Sequence, residues 1–572
     1  MRSSARLGPQ ERADAWSRLG QHTFDVLVIG GGVTGAGTAL DAVTRGLDTA
    51  LVEARDFASG TSSRSSKLFH GGLRYLEQMN FGLVAEALRE RDLMLTRIAP
   101  HLVKPVPFIY PLKHRMWERP YVGSGLLLYD AMARGRSVPP HRHLTRTGAL
   151  RLVPGLRQDA LVGAIRYYDA QADDARHTLT VIRTAARYGA VVRNSSEVTE
   201  FLLEGGRIVG VKVRDVDSGD TTTIRAKVVI NCTGVWTDDI QRLTGGRGRF
   251  KVRASKGVHV LVARDRIASE AGLILRTERS VLFVIPWGNH WIIGTTDTDW
   301  TLDLAHPAAS RADIDYLLSH VNEVLAVPLT REDIEGVYAG LRPLLAGESE
   351  QTSQLSREHA VARPLPGLVS IAGGKYTTYR VMAKDAVDAA RPDLGQSLPP
   401  SVTEHVPLAG AEGYHALVNQ VDALADTYGL PVWRMQRLLD RYGSLVDELL
   451  DLAEADRSLL EPLPGAGEYL SVEARYAASH EAAVHLDDIL ARRTRISIEV
   501  PHRGTETAES VATLVADVLG WDKARIRNEV EVYQARVAAE RESQTKPDDL
   551  SADAERLLAP DTRKLAVGRA LG

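Results

Sequence analysis

The fold of this 572-residue chain is decided by the stretch Phe24-Asp25-Val26-Leu27-Val28-Ile29-Gly30-Gly31-Gly32-Val33-Thr34-Gly35. Its apolar, β-branched first half predicts a buried parallel strand. Gly30, Gly32 and Gly35 then follow with the G-x-G-x-x-G spacing. The first glycine allows a tight turn, the second lets the backbone approach a pyrophosphate, and the third lets the next helix pack against the strand. The stretch therefore predicts a strand-turn-helix unit that binds a dinucleotide.

The residues that follow strengthen this prediction. Ala36 to Arg45 continues as a helix whose N-terminal amides would face the phosphates. A second strand, Asp48 to Val52, ends in Glu53, which lies 23 positions after Gly30. A carboxylate there can accept hydrogen bonds from both hydroxyls of an adenosine ribose. The alternative, a glycine-rich turn that binds nothing, does not account for the acid at this spacing.

Composition limits the remaining possibilities. The chain is 44% hydrophobic and 25% charged, as in ordinary soluble proteins, and it is long enough for two or three domains. Its formal net charge of -3 provides no overall attraction to nucleic acid, so a protein that acts on tRNA is disfavoured. Any anion site must be a local cluster of cations.

Neither disulfides nor metal ligands are expected. The single cysteine, Cys232, cannot form an internal disulfide and fits a reducing cytosol, where we expect it to be a small buried residue. His141 and His143 form an isolated pair that we interpret as surface residues, so no metal site is predicted. Residues 1–23 lack the apolar stretch of a signal peptide, and no run of 18 apolar residues follows. We expect neither export nor a bilayer-spanning helix.

A polar segment after the second strand carries a more specific signal. Thr61 to Tyr75 combines hydroxyls, two glycines and basic side chains. Within it, Ser65-Ser66-Lys67-Leu68-Phe69-His70-Gly71-Gly72-Leu73-Arg74-Tyr75-Leu76-Glu77 resembles the signature of the FAD-dependent glycerol-3-phosphate dehydrogenases, which belong to the D-amino-acid-oxidase-like flavoproteins.

Later motifs fall in the order of that family. They are Tyr167 to Arg176, Val228 to Trp236, Lys256 to His259, Val284 to Trp287 with Gly294 to Asp297, Gly340 to Leu344, and Gly373 to Arg380. The resemblance thus extends from Phe24 to Arg380 and covers most of the chain.

The resemblance implies an α/β protein. A doubly wound, Rossmann-like FAD-binding domain would be assembled from residues 24–80, 160–250 and 353–390, and an antiparallel-sheet substrate domain from 81–159 and 251–352. Within the latter, Ser280 to Ile293 predicts a hairpin. Residues 391–410, rich in Pro, Gly and Ser, predict a linker. Helical spacing, for instance in Ser471 to Arg493 and Ala524 to Glu542, predicts a C-terminal all-helical cap domain over 411–572, poorly ordered from Gln544 onward.

The family also implies which residues bind the cofactor and the substrate. FAD would be bound by Gly30, Gly32, Gly35, Glu53, Thr61, Ser62, Ser66, Lys67, Gly234, Gly374, Lys375 and Thr377. A phosphorylated polyol requires several cations in a water-poor pocket, because its phosphate carries up to two negative charges. The substrate-binding candidates are Arg74, Tyr75, His259, Arg342, Arg357 and Lys375.

Oxidation of a secondary alcohol also requires a base near the hydroxyl, and histidine suits neutral pH. His70 and His259 both qualify; we favour His70 because Gly71 and Gly72 allow close approach, and His259 would then orient the substrate or flavin. Arg342 and Lys375 complete the catalytic set as positive charges that stabilise the reduced flavin. We expect Thr377 to cap the helix that follows Gly373 and Gly374.

The implied reaction converts sn-glycerol 3-phosphate to dihydroxyacetone phosphate, with electrons passed to a membrane quinone. The protein would be cytoplasmic and would contact the anionic inner face of the plasma membrane. Residues 113–151 combine eight cations with Trp117, Tyr121 and Leu126 to Tyr129, a mixture typical of interfacial segments. An oxidase that uses O2 remains the alternative, and a homodimer is left open. A noncatalytic FAD scaffold is disfavoured, since the cations and histidines are retained.

Overall fold

The computed structural model describes residues 5–72, 75, 79–114, 117–133, 137–245, 250–278, 281–346 and 358–565. Two of the expected substrate-binding residues, Arg74 and Arg357, lie outside these ranges. The described strands are β1 (Thr23–Ile29), β2 (Thr49–Val52), β3 (Leu68–Phe69), β4 (Lys104–Leu112), β5 (Arg142–Thr145), β6 (Gly163–Gln171), β7 (Val191–Arg193), β8 (Ser196–Glu204), β9 (Arg207–Asp215), β10 (Thr221–Asn231), β11 (Val252–Ala263), β12 (Gly272–Arg276), β13 (Val281–Trp287), β14 (His290–Gly294), β15 (Thr298–Trp300), β16 (Ile334–Leu345), β17 (His359–Leu365), β18 (Leu368–Gly373), β19 (Pro462–Leu463) and β20 (Ala466–Leu470).

Helices flank the sheets and form most of the C-terminal part. The described α-helices are α1 (Pro9–Gln21), α2 (Val33–Thr44), α3 (Phe81–Leu93), α4 (Glu118–Met132), α5 (Arg146–Leu152), α6 (Asp174–Arg187), α7 (Thr237–Arg242), α8 (Arg311–Asn322), α9 (Tyr379–Leu394), α10 (Tyr414–Val418), α11 (Val421–Tyr428), α12 (Val432–Tyr442), α13 (Val446–Ala455), α14 (Ser471–His480), α15 (Leu486–Asp488), α16 (Ile496–Glu499), α17 (Ala508–Leu519), α18 (Lys523–Ser543) and α19 (Asp549–Arg556).

The first sheet has the strand order β17-β18-β10-β1-β2-β7; β9 pairs antiparallel with β10, and β8 pairs antiparallel with β9. β1 is parallel to both β2 and β10, as predicted for a buried strand, and α2, α6 and α9 pack together beside it. The predicted strand-turn-helix unit is confirmed, although α2 begins at Val33 rather than Ala36. The glycine-rich turn therefore lies at the carboxyl end of the central strands, where α/β sheets bind ligands.

The second sheet has the order β15-β11-β14-β13-β12-β4-β6-β3, with β16 beside β11 and β5 beside β6. Its pairs are antiparallel except for β4 with β12, which is parallel. β13 and β14 form the predicted hairpin. β6 pairs with β4 in this sheet, although the sequence boundaries place residues 163–171 in the FAD-binding domain. His259 on β11 and Arg342 on β16 enter the site from this sheet.

The C-terminal region is helical except for the small hairpin of β19 and β20. α18 matches the predicted helix at 524–542, whereas the helix predicted over 471–493 is interrupted after His480. The expectation of poor order from Gln544 is wrong for residues 544–565, and residues 566–572 lie outside the described ranges. α19 forms there, and the Arg563 guanidinium makes two 2.8 Å hydrogen bonds to Asp488. The segment 391–410 is also packed, since Leu398 and Leu408 are buried in the core of the first sheet.

Buried ion pairs hold the C-terminal region against the first sheet. Asp56, which lies three residues after Glu53, accepts two hydrogen bonds from Arg493 at 2.6 and 2.7 Å. Arg495 donates to Asp173, the residue that caps α6, at 2.6 Å. Within the described ranges, no helix has the length and apolar character needed to cross a membrane.

Candidate active site

One cavity of about 400 Å³ runs between the two sheets and collects most of the predicted site residues. Its lining includes Gly30, Gly32, Glu53, Thr61, Ser62, Ser66, His70, Tyr75, Gly234, His259, Arg342, Gly374, Lys375 and Thr377. Gly35 and Lys67 do not line it. The nucleotide-binding loop and the two candidate bases thus share one continuous space.

The geometry of the glycine loop fits a pyrophosphate. Gly30 has φ +110°, and a Cβ on it would lie 2.8 Å from the carbonyl oxygen of Cys232. A Cβ on Gly35 would lie 1.9 Å from the Gly30 oxygen, so the close approach of α2 to β1 requires glycine. A Cβ on Gly32 would meet only the Ser62 hydroxyl, at 3.3 Å. The space in front of Gly32 is therefore open to a ligand, as its predicted role requires.

Glu53 lies at the end of β2, on the nucleotide side of the cavity. Its Oε2 accepts a hydrogen bond from the Gly31 amide at 2.6 Å, and its Oε1 accepts one from the Arg55 amide at 2.7 Å. Burial raises the pKa of Glu53 in spite of these hydrogen bonds. Each carboxylate oxygen has two lone pairs, so one remains on each for the predicted ribose contact.

Thr61 and Ser62 fix the loop that faces α2. The Ser62 hydroxyl accepts a hydrogen bond from the Val33 amide at 2.9 Å, which satisfies one of the free amides at the start of the helix. The Thr61 hydroxyl donates to the Leu341 carbonyl on β16 at 2.5 Å. These two side chains therefore tie the loop to α2 and to the second sheet. Gly234, on the opposite wall, has φ +58° and open space around its Cβ position.

The nucleotide end also contains residues that the sequence analysis missed. Ser196, Glu197 and Val198 on β8 line it, and the Ser196 amide donates to the Glu53 carbonyl at 2.7 Å. Leu565 lines the cavity too. Neither segment carries a recognisable motif. The hydrogen bond to Glu53 places Ser196, and the bonds of Arg563 to Ser195 and Asp488 hold the segment that contains Leu565.

His70 lies at the other end of the cavity, where the two sheets meet. Its ring is half-buried, 6.2 Å from the ring of Phe283, and makes no side-chain hydrogen bond to the described residues. Burial, followed by the charge of Lys375, lowers the pKa of His70 to about 4. The imidazole is therefore neutral at pH 7 and able to accept a proton.

His259 is more enclosed than His70. Only 2% of the residue is exposed, its ring stacks on Tyr338 with centroids 4.7 Å apart, and its Nε2 lies 2.8 Å from the Ser66 hydroxyl. Burial, together with Arg342 and Lys67, holds the pKa of His259 well below its usual range. Its stacking and its contact with Ser66 fix the ring, as a residue that orients a ligand requires.

Two cations enter the cavity near these histidines. The Arg342 guanidinium donates to the Thr295 hydroxyl at 3.1 Å and lies 3.9 Å from Asp297. The Lys375 ammonium lies 3.5 Å from the centroid of the Tyr75 ring, a cation–π contact. The structure therefore brings Arg342, Lys375 and Tyr75 into the same cavity as both histidines.

Two predicted roles need correction. Lys67 is buried and its ammonium pairs with Asp174 at 2.8 Å, so it stabilises the fold and does not reach the cavity. Thr377 lines the cavity but does not cap the following helix. Its hydroxyl accepts a hydrogen bond from the His70 amide at 3.2 Å, while α9 begins at Tyr379 without a side-chain cap. Thr377 therefore positions the His70 backbone.

A buried hydrogen-bond chain behind His70 was also missed. Asp169 lines the cavity and accepts hydrogen bonds from the Tyr129 hydroxyl at 2.5 Å and from Arg91 at 3.1 Å. The Tyr129 hydroxyl in turn accepts one from the Gly71 amide at 2.9 Å. Burial raises the pKa of Asp169 to about 6, against the opposing effect of Arg91. Asp169 belongs to the motif at 167–176, and that motif is the feature of the sequence that could have indicated its place in the site.

Comparison with known proteins agrees with this geometry. Residues 25–380 match the family described as FAD dependent oxidoreductase, and residues 401–526 match the C-terminal domain of alpha-glycerophosphate oxidase. The chain is therefore an FAD-dependent oxidoreductase, and the fold class and cofactor predicted from its sequence are confirmed.

Comparison with individual proteins identifies the family more specifically. Glycerol-3-phosphate dehydrogenase 2 of Mycobacterium tuberculosis is 64% identical over 560 residues, which cover 98% of this chain and 96% of the relative. The mitochondrial glycerol-3-phosphate dehydrogenase of Mesocricetus auratus is 36% identical over 96% of this chain and 78% of its own. The structure of the Bacillus halodurans glycerol-3-phosphate dehydrogenase complexed with FAD has a TM-score of 0.77 and 30% identity, and covers 93% of this chain and 97% of its own. The chain belongs to the glycerol-3-phosphate dehydrogenase family.

Proposed function

We propose that this protein oxidises sn-glycerol 3-phosphate to dihydroxyacetone phosphate. One observation carries the proposal: His70, His259, Arg342 and Lys375 line the same cavity as the nucleotide-binding loop at Gly32. The names of the relatives point to the same substrate. A cavity that combines a dinucleotide loop, two neutral histidines and two cations suits an anionic alcohol.

The cations account for recognition of the substrate. A phosphate group carries up to two negative charges and binds guanidinium and ammonium groups through charge-assisted hydrogen bonds. Arg342 and Lys375 supply such donors next to the histidines. Glycerol without phosphate would lack this attraction, so the proposed site discriminates by charge.

His70 is the proposed base. Bound FAD would supply the hydride acceptor, and the protein must remove the proton of the reacting hydroxyl. The His70 ring faces the cavity, is neutral at pH 7 and has no internal hydrogen-bond partner among the described residues, whereas His259 Nε2 already lies beside Ser66. His70 would accept the proton, and His259 would hold the substrate in place.

The backbone before Lys375 allows a ligand to approach closely at the same end of the cavity. Gly373 and Gly374, with φ of +77° and +86°, form a turn that lines the cavity immediately before Lys375. The Gly374 amide donates to the Glu358 carbonyl at 3.2 Å, so the positive potential here comes from the Lys375 ammonium and not from that amide. The Phe283 and Tyr167 rings line the apolar wall and limit access of water to the reacting atoms.

Anaerobic stopped-flow reduction tests the assignment of the base. His70→Gln should slow flavin reduction by glycerol 3-phosphate by about 10²- to 10⁴-fold, the range for loss of a general base. His259→Gln is the matched control, and it should chiefly weaken substrate binding. If His70→Gln reduces its flavin at a near-normal rate and His259→Gln does so very slowly, His259 is the base and His70 holds the substrate. Failure of glycerol 3-phosphate to bleach the wild-type flavin would refute the substrate.

The electron acceptor is proposed to be a membrane quinone, reached from an apolar stripe on α4. Trp117, Tyr121 and Leu128 recur at helical spacing and are 56%, 50% and 40% exposed, while Leu126 and Tyr129 on the opposite face are buried. Arg142 and Arg146 lie nearby in sequence and are exposed. This mixture favours peripheral binding to an anionic bilayer. Three cations of the predicted basic segment, Arg115, Arg134 and Arg136, lie outside the described residues.

Liposome sedimentation tests the membrane contact. The protein should pellet with anionic liposomes at low salt, and Trp117→Ser combined with Leu128→Ser should reduce the pelleted fraction. Leu203→Ser, a change at a residue that is 56% exposed on β8, is the control and should have no effect. If the protein remains in the supernatant with every liposome and reduces O2 rapidly, the alternative of a glycerol-3-phosphate oxidase replaces the quinone enzyme.

A further inference from the structure

A second cavity, of about 120 Å³, lies where three parts of the chain meet. Its walls come from the loop at 55–64, from residues 305–309 of the second-sheet region, and from the C-terminal region. The volume is well above the roughly 10–15 Å³ that a single water requires. The cavity can therefore hold a small molecule.

Arginines dominate one side of this cavity. We call Arg64, Arg503, Arg536 and Arg556 the arginine cluster; all four line the cavity. Three of them share one carboxylate, since Glu540 lies 2.6 Å from Arg536, 3.3 Å from Arg503 and 3.6 Å from Arg556. Three guanidinium groups thus converge on a single glutamate, and Arg64 lines the same cavity.

Other carboxylates do not balance the cluster. Arg536 also lies 3.0 Å from Asp487, but Asp487 pairs with Arg492 as well, at 2.9 Å. Arg64 forms no ion pair with a described carboxylate and donates one side-chain hydrogen bond, to the Ala305 carbonyl at 3.1 Å. The buried Nη2 of Arg536 makes no hydrogen bond within the described ranges. The other arginines that line the cavity pair with other carboxylates, namely Arg55 with Asp561, Arg492 with Asp56, Arg495 with Asp173 and Arg563 with Asp488. The cluster and its two carboxylates therefore leave two cations in excess.

The pKa values of the buried groups respond both to burial and to the neighbouring charges. Burial lowers the pKa of Arg64 to about 10, against the opposing effect of Glu540. Burial alone would raise the pKa of Glu540, but Arg536, Arg556 and Arg503 together lower it to about 2. Uncompensated charge in a buried cavity is unfavourable unless a counter-ion is present.

The backbone around Arg503 is held in an unusual conformation. His502 and Arg503 have φ of +54° and +60°, a region that residues other than glycine rarely adopt. The Tyr533 hydroxyl donates to the Arg503 carbonyl at 2.6 Å and keeps the turn in place. The surrounding structure thus enforces the turn from which Arg503 lines the cavity.

We propose that this cavity is a binding site for a phosphate-type dianion, either inorganic phosphate or a small phosphate monoester. A charge of two balances the two excess cations, and guanidinium groups match the oxygens of a phosphate through paired hydrogen bonds. The site is separate from the substrate cations, since neither Arg342 nor Lys375 lines this cavity.

Anion binding would be coupled to the cofactor site through Arg64. This residue lines both cavities and lies between Ser62, which bonds to the first amide of α2, and Ser66, which contacts His259. An anion that bridges Arg64 to Arg503 and Arg556 would fix this loop against the C-terminal region. Phosphate should therefore slow the loss of FAD from the holoenzyme.

Titration of the holoenzyme with inorganic phosphate, against sodium chloride at equal ionic strength, tests the site by thermal shift and by FAD fluorescence. We expect a saturable rise in Tm and slower flavin release with phosphate, and neither effect with sodium chloride. Arg556→Gln should weaken phosphate binding by about 10- to 100-fold, as expected for a lost charge-assisted hydrogen bond. Glu540→Gln should tighten it, because it removes the competing carboxylate. Titration with a small phosphate monoester in place of phosphate separates the two ligand sources.

Opposite responses in Arg556→Gln and Glu540→Gln would be hard to obtain from binding at the substrate site. Wild-type phosphate affinity in both variants, or no saturable effect in the wild type, would overturn the proposal. If the variants do not fold, wild-type crystals soaked in tungstate provide the answer. An anomalous peak between Arg64 and Arg556 supports the site, and saturated peaks found only elsewhere overturn it.

Discussion

The addition of one methyl group should affect different properties at Gly35 and at Gly32. At Gly35 it should lower the stability of the fold, and at Gly32 it should weaken FAD binding. In Gly35→Ala the new Cβ would lie 1.9 Å from the Gly30 carbonyl oxygen, whereas contacts below 3.0 Å are essentially never seen. The atoms must move apart by about 1 Å, and the obstacle is backbone held by the 2.9 Å hydrogen bond from the Gly30 amide to Val52. Overpacking costs about 1–3 kcal/mol, so we expect Gly35→Ala to fall at the upper end or above.

Gly32→Ala should leave the protein fold almost unchanged. The nearest atom to the new Cβ is the Ser62 hydroxyl, at 3.3 Å, and a φ of -77° is accessible to alanine. The methyl group would instead stand where the pyrophosphate approaches. The same cost of about 1–3 kcal/mol then falls on FAD binding, which weakens the affinity by roughly 5- to 150-fold.

Two measurements separate these effects. Urea denaturation followed by circular dichroism reports stability, and fluorescence titration of the apoprotein with FAD reports affinity. Gly35→Ala should unfold at a clearly lower urea concentration, whereas Gly32→Ala should unfold near the wild-type midpoint without FAD and bind FAD weakly. Wild-type FAD affinity in Gly32→Ala, or a wild-type unfolding midpoint in Gly35→Ala, would show that the loop does not act as described.

Three further predictions concern buried charge and the cofactor. Lys67→Met should lower the free energy of unfolding in urea, but by less than the about 3–5 kcal/mol typical of a broken buried pair, because Arg495 still pairs with Asp174. The folded fraction should keep its flavin. Burial lowers the pKa of His101 to about 3, so its unfolded form binds an extra proton below about pH 6.5 and stability falls as the pH falls. His101→Gln should therefore reduce the slope of stability against pH by up to about 1.4 kcal/mol per unit between pH 6 and 4; an unchanged slope would contradict this. Arg563→Gln should speed FAD release in a fluorescence assay, since the segment 561–565 loses its bonds to Asp488; an unchanged rate would separate that segment from cofactor binding.

The sequence was sufficient for the nucleotide-binding unit because local steric rules determine it. Gly30, Gly32 and Gly35 each occupy a position where a side chain would obstruct either backbone or ligand, and β1 is buried between two parallel strands. The motifs around His70, His259, Arg342 and Lys375 located one end of the cavity through their resemblance to a family. His70 and Lys375 follow strand ends, whereas His259 and Arg342 lie inside β11 and β16.

The features that the sequence did not predict depend on contacts between residues that lie far apart in the chain. Lys67 stands in the same motif as His70, yet its ammonium is taken by Asp174, more than a hundred positions away. Ser196 reaches the nucleotide end only because β8 follows the edge of the first sheet. The arginine cluster gave no sequence signal, since Arg64 and Arg556 are far apart in the chain. The packed segment after Gln544 was misjudged because its order depends on ion pairs with distant carboxylates.

The position of Leu565 has a consequence for the biosynthesis of the protein. The cavity that begins at Ile29 and Gly30 is also lined by Leu565, so its wall contains residues separated by more than five hundred positions. During translation the first strands and the glycine loop emerge early, but the nucleotide end of the cavity lacks part of its wall until residue 565 has left the ribosome. Cofactor captured on the nascent chain can therefore exchange, and stable loading becomes a late event in maturation. A protein extended just beyond this segment would test the order of these steps, because a bulky fusion there would impede closure without altering the loop itself.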